Sequence, residues 1–127
     1  MKFLKQIVIA LAITFSVGSF TQVVAAGKIE NATPEEVGAS IASAAKNSED
    51  ALAALKNGEA DETVLELIEA ARQDSKRIEV GRLDVKRTRA AAHLKNARSA
   101  IRKGDKTKAE ASLVEAVKGY QEVKAEY

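Results

Sequence analysis

Apolar side chains recur every three or four positions over most of this 127-residue chain, and no stretch alternates with a period of two for the length of a strand. Val37, Ile41, Ala44, Ser48, Leu52 and Leu55 make one stripe, and Thr33-Pro34-Glu35-Glu36 precedes it with an N-cap, a proline at the first helical position and a capping-box glutamate. A first helix is therefore predicted from Pro34 to the Asn57-Gly58 stop. Asp61 or Glu62 starts a second, with Val64, Leu67, Ile68, Ala71, Ser75 and Ile78 in register. Val80-Gly81 is the expected break, a helix running through the glycine being the costlier alternative by about 1 kcal/mol. The third runs from Leu83 or Asp84 to Lys103, carrying Leu83, Ala90, Leu94, Ala97 and Ile101 inward. Gly104 ends it, Asp105 caps the fourth, and Ala109, Leu113, Ala116, Val117, Tyr120 and Val123 line that helix.

Displacing the chain by 46 residues lays Leu55-Lys56-Asn57-Gly58-Glu59 on Ile101-Arg102-Lys103-Gly104-Asp105, and Leu67-Ile68-Glu69-Ala70-Ala71-Arg72 on Leu113-Val114-Glu115-Ala116-Val117-Lys118. Two copies of one helical hairpin are implied. A hairpin of about 45 residues buries neither face alone, so the expected fold is all-α: an antiparallel four-helix bundle of two duplicated hairpins.

The first 26 residues have a different pattern. Lys2 and Lys5 precede an apolar run from Ile7 to Val17, and Val24-Ala25-Ala26 supplies small residues, the layout of a secretory signal cleaved near Ala26. Retention as an anchor is the second reading, against which the run is shorter than the roughly 20 residues that span a bilayer. The expected mature chain is a single domain, residues 27–127, in the periplasm or an equivalent exported space.

Charge then narrows the function. Without Lys2 and Lys5 the chain has 18 basic and 18 acidic residues, so the net charge of +2 belongs to the leader and a global nucleic-acid reading fails. Within the neutral domain the signs separate, with 6 basic and 12 acidic residues from Gly27 to Gly81 and 12 basic and 6 acidic from Arg82 to Tyr127. One reading is mutual steering of the hairpins. The other is a basic ridge on the third helix, comprising Arg87, Arg89, Lys95, Arg98, Arg102 and Lys103, which faces an acidic envelope protein or anionic lipid. Dimerisation through an Ala-rich face stays open.

Chemistry is sparse. Cysteine and tryptophan are absent, and His93 is the sole imidazole. It has no Glu-x-x-His or His-x-x-x-His partner. Glu59, Glu62, Glu66 and Glu69 form a carboxylate stripe on the second helix, too spread out for tight Ca²⁺ or Mg²⁺ binding. Every carboxylate is expected to face water, and Ser40, Ser43 and Ser48 have no histidine that the sequence nominates, so no catalytic set and no enzyme is expected. Tyr120 is expected to close one end of the core, and Tyr127 is the last residue.

The turns Ala54-Leu55-Lys56-Asn57-Gly58 and Ala100-Ile101-Arg102-Lys103-Gly104, set in Ala-rich hairpins from Glu36 to Lys124, resemble those of the periplasmic small metal-binding protein family. The resemblance implies a four-helix bundle in the periplasm that binds divalent metals such as copper through many histidines. Here Asn57, Asp61, Lys103 and Thr107 surround the turns, so the implied site shrinks to His93 with a carboxylate from Glu62, Glu66 or Glu69. It would hold copper, zinc or nickel weakly.

Overall fold

A computed structural model describes residues 32–127, in which four helices follow one another: α1 (Pro34–Lys56), α2 (Asp61–Lys76), α3 (Asp84–Arg102) and α4 (Lys106–Glu126). A 3₁₀ turn at Gly81–Leu83 leads into α3, and no strand occurs among the described residues. The signal-peptide reading of residues 1–26 lies outside the described residues. Among those described, no helix is long and apolar enough to cross a membrane.

The helix ends follow local chemistry. Thr33 Oγ1 accepts from the Glu36 N–H at 3.2 Å while Glu36 Oε2 accepts from the Thr33 N–H at 2.8 Å, a closed capping box. At the far end Gly58 takes φ +72°, the Glu59 N–H donates to the Ala54 carbonyl and the Gly58 N–H to that of Leu55. The α3 terminus repeats this 46 residues on. Gly104 has φ +77°, the Asp105 N–H donates to Ala100 and the Gly104 N–H to Ile101. Two Schellman motifs in one frame are what the internal repeat predicts. Asp105 Oδ1 then caps α4 by accepting from the Lys108 N–H at 3.0 Å.

One boundary differs from expectation. The second helix stops at Lys76, with Arg77 as its cap, instead of reaching Val80. Its start follows Ala60, which has no side chain able to cap, so Asp61 and Glu62 act on the exposed N–H groups through charge alone. Ile78 leaves the helix and still buries to 1% exposure, so apolar burial sets the path of the connection.

The hairpins α1–α2 and α3–α4 are the most closely packed pairs; α4 also lies along α1, and α2 meets α3 more loosely. This closes an antiparallel four-helix bundle in which α1 neighbours α2 and α4, and α3 neighbours the same two. Its interior holds Val37, Ile41, Val64, Ile68, Leu83, Leu94, Ile101, Leu113, Tyr120 and Val123 among many alanines. Leu52, Leu67 and Val117 are only half-buried, at the shoulders of their stripes. A Cβ placed on Gly119 would come within 2.8 Å of the Ala90 Cβ, so α3 and α4 approach as closely as a bare glycine permits.

Candidate functional site

The buried polar groups come first, since burying them unpaired costs stability. Asp74 is 4% exposed, which corrects the expectation that every carboxylate faces water. It lies on the α1-facing side of α2 and accepts from Ser43 Oγ at 2.7 Å and Asn47 Nδ2 at 2.9 Å. Burial pushes its pKa up, and these two hydrogen bonds together with the Arg77 charge pull against that rise. Beside it, the Ser75 and Tyr120 hydroxyls are buried without meeting strict hydrogen-bond geometry. Burial pushes the Tyr120 phenol up to about 12, with the Ser75 dipole opposing. Tyr120 is fully buried and is the largest such side chain. The signal that could have located Asp74 is its place three residues after the core Ala71 and next to the core Ser75. Ser43 therefore serves an acid on a neighbouring helix, and Ser48 returns its hydroxyl to the Ala44 carbonyl at 2.8 Å.

The residues nominated from sequence occupy different faces. His93, half-buried, lines the groove between α3 and α4 with Lys86, Arg89, Glu115, Lys118 and Glu122. Glu62 and Glu66 are exposed on α2. Glu69 is bound by Arg72 at 2.8 Å, by Gln73 at 3.0 Å and, across the helix boundary, by Arg98 at 3.5 Å. Desolvation opposes its ionisation but is outweighed by these hydrogen bonds and by the Arg72 and Arg98 charges, so its pKa falls. The structure does not bring His93 to the α2 stripe. Among the described residues no group of three or more His, Cys, Asp or Glu side chains could hold a metal ion.

The six cations of the expected ridge divide into two sets. Arg87 folds onto Asp84 at 2.5 Å and Arg98 reaches Glu69. Arg89, Lys95, Arg102 and Lys103 are exposed and form no salt bridge among the described residues. Lys103 and Lys108 line a second shallow groove at the α3–α4 turn with Asn96, Ser99 and Asp105. Near the start of α3, Arg82 donates to the carbonyls of Glu126 and Tyr127, and Lys86 pairs with Glu126. The Tyr127 hydroxyl donates to the Pro34 carbonyl at 2.6 Å. Arg82 and Lys86, near the start of α3, thus clasp the end of α4, whereas Lys95, Arg102 and Lys103 farther along are exposed to solvent.

Comparison with family models, curated proteins and solved structures finds no match for this chain.

Proposed function

We propose that this protein is a small exported binding and accessory protein that docks on an acidic protein partner through the basic side of α3. The observation that carries this reading is the set of exposed cations without salt bridges, Arg89, Lys95, Arg102 and Lys103, continued by Lys108 and Lys118 along the grooves with α4. Cations satisfied inside their own molecule offer little to a partner. Exposed and unpaired ones steer association and lose strength as salt screens them.

An acidic protein suits this surface better than a lipid headgroup plane. Helices that lie in a membrane interface present a broad apolar face to it. The apolar stripes here are consumed inside the bundle, and the exposed large hydrophobics among the described residues, Val85, Val114 and Tyr127, are too few to make a broad apolar face. Export rests on the leader's sequence.

Metal binding in the manner of the small metal-binding proteins does not fit the residues present. The groove holds Lys86, Arg89 and Lys118 beside Glu115 and Glu122, so the cations offset its two carboxylates, and among the described residues His93 belongs to no group of three or more side chains able to hold a metal ion.

Polyglutamate is the direct probe of the acidic-partner reading. The full chain is expected to bind it at low ionic strength and to lose at least about tenfold in affinity by physiological salt. Arg89→Glu with Lys103→Glu is expected to weaken binding by a similar factor. Equal binding by the double variant, or binding indifferent to salt, overturns the proposal. Preference for vesicles rich in phosphatidylglycerol over polyglutamate would transfer the role to lipid.

A further inference from the structure

The two charge stripes that flank the α2–α3 boundary are the starting point. Glu62, Glu66 and Glu69 follow one another at four- and three-residue spacing on α2, and Lys95, Arg98 and Arg102 do the same at three and four on α3. Residues so spaced share a helix face. Because α2 and α3 are antiparallel neighbours, the acidic and basic stripes run side by side, with Arg98 and Glu69 meeting at 3.5 Å. Among the described residues that is the one salt bridge between the two hairpins, and it is a long one. Glu62, Glu66, Lys95 and Arg102 are exposed and make no salt bridge among the described residues. Mutual neutralisation of the hairpins is therefore mostly unrealised inside one molecule.

We infer that this face is an interface between two copies of the protein, the acidic α2 stripe of each lying over the basic α3 stripe of the other. The inference rests on the acidic-partner reading above and identifies a second copy as a partner for Lys95, Arg98 and Arg102. A two-fold axis parallel to the helices superposes unlike stripes at both places at once and closes the assembly at a dimer. An axis across the helices would set acid on acid. Residues 32–127 contain 17 basic and 17 acidic side chains, so no net repulsion opposes the approach. With polar side chains at its centre, the contact is governed by salt.

Sedimentation velocity of the full chain tests this. The wild-type chain is expected to show a concentration-dependent shift from monomer to dimer at low ionic strength, reverting to monomer at about 0.5 M NaCl, where the screening length falls to a few ångströms. Glu62→Lys with Glu66→Lys makes both stripes basic, and Lys95→Glu with Arg102→Glu makes both acidic. Each double variant alone is expected to stay monomeric, and an equimolar mixture of the two to recover the dimer. All four positions are exposed, and circular dichroism of each variant verifies its helix content. Glu62→Gln with Glu66→Gln serves as a milder pair, expected to weaken the dimer without reversing charge. Mixtures that remain monomeric overturn the inference, as does a wild-type dimer indifferent to salt. Growth beyond the dimer overturns the closed two-fold arrangement. The Glu62→Lys, Glu66→Lys variant keeps its basic side and should still bind polyglutamate. Binding by that variant, with no dimer in the mixture, defeats the second-copy inference and leaves the acidic-partner reading standing. Failure of the wild-type chain to bind polyglutamate defeats that reading itself.

Discussion

The Asp74 carboxylate receives hydrogen bonds from Ser43 and Asn47, yet burial still raises its pKa above the ordinary 3.8. The fold therefore favours its protonated form more than the unfolded chain does. Its stabilising contribution is complete below 3.8 and is lost as pH rises through the raised folded-state value. Glu69 acts in the opposite sense, its pKa lowered from 4.5, so its contribution is present above 4.5 and lost as pH falls through the lowered value. With its side chain 43% exposed to solvent, Glu69 counts for less. Asp74→Asn retains one acceptor for two donors and should cost about 1 kcal/mol where the carboxyl is protonated. As pH rises from about 4 towards neutrality, the wild-type advantage should shrink, because only the wild type then loses stability. Urea midpoints across that range check the sign, and an advantage that widened with pH would contradict it. Neither carboxylate's surroundings were legible in the chain. Hydropathy ranks Asp74 with the surface acids, and only the placement of α1 against α2 supplies the Ser43 and Asn47 donors.

At the scale of elements, the helix termini were legible because caps are local. Thr33-Pro34-Glu35-Glu36, Asn57-Gly58, Gly104 and Asp105 each act within about five residues. The exception is the end of α2, where Ile78 abandons the helix to reach the core and no stop residue marks Lys76. Two glycine substitutions separate local from tertiary requirements. Gly104→Ala puts a side chain at φ +77° with nothing within 4 Å, so it should cost about 1 kcal/mol through backbone strain alone. Gly119→Ala improves intrinsic helix propensity by about 1 kcal/mol. Its methyl, however, would lie 2.8 Å from the Ala90 Cβ and 3.4 Å from the Ala90 Cα, atoms that cannot rotate away. The helices must part, and overpacking of this kind costs about 1 to 3 kcal/mol, so the variant should melt lower than the wild type. A higher melting temperature for Gly119→Ala would show that α3 and α4 can separate freely.

For the whole molecule, the segregation of charge admits a test of what it is for. If opposite hairpin charges held the bundle together, added salt would weaken the fold. Among the described residues the one salt bridge between the hairpins is 3.5 Å long and partly exposed on both sides, which indicates otherwise. Between low ionic strength and about 0.5 M NaCl the melting temperature of the monomer is expected to change by less than about 4 °C, while association with acidic partners collapses. A loss of stability much larger than this would return the charges to an internal role. The chain by itself determined the four helices, their caps, the twin turns and the inward stripes, because periodicity and capping are properties of neighbouring residues. The tertiary structure alone decided which donors Asp74 meets, that Gly119 admits Ala90, that His93 faces α4 while the Glu62–Glu66–Glu69 stripe borders α3, and which cations are spent within the fold. Those outcomes depend on distances between helices far apart in sequence, which no local pattern encodes.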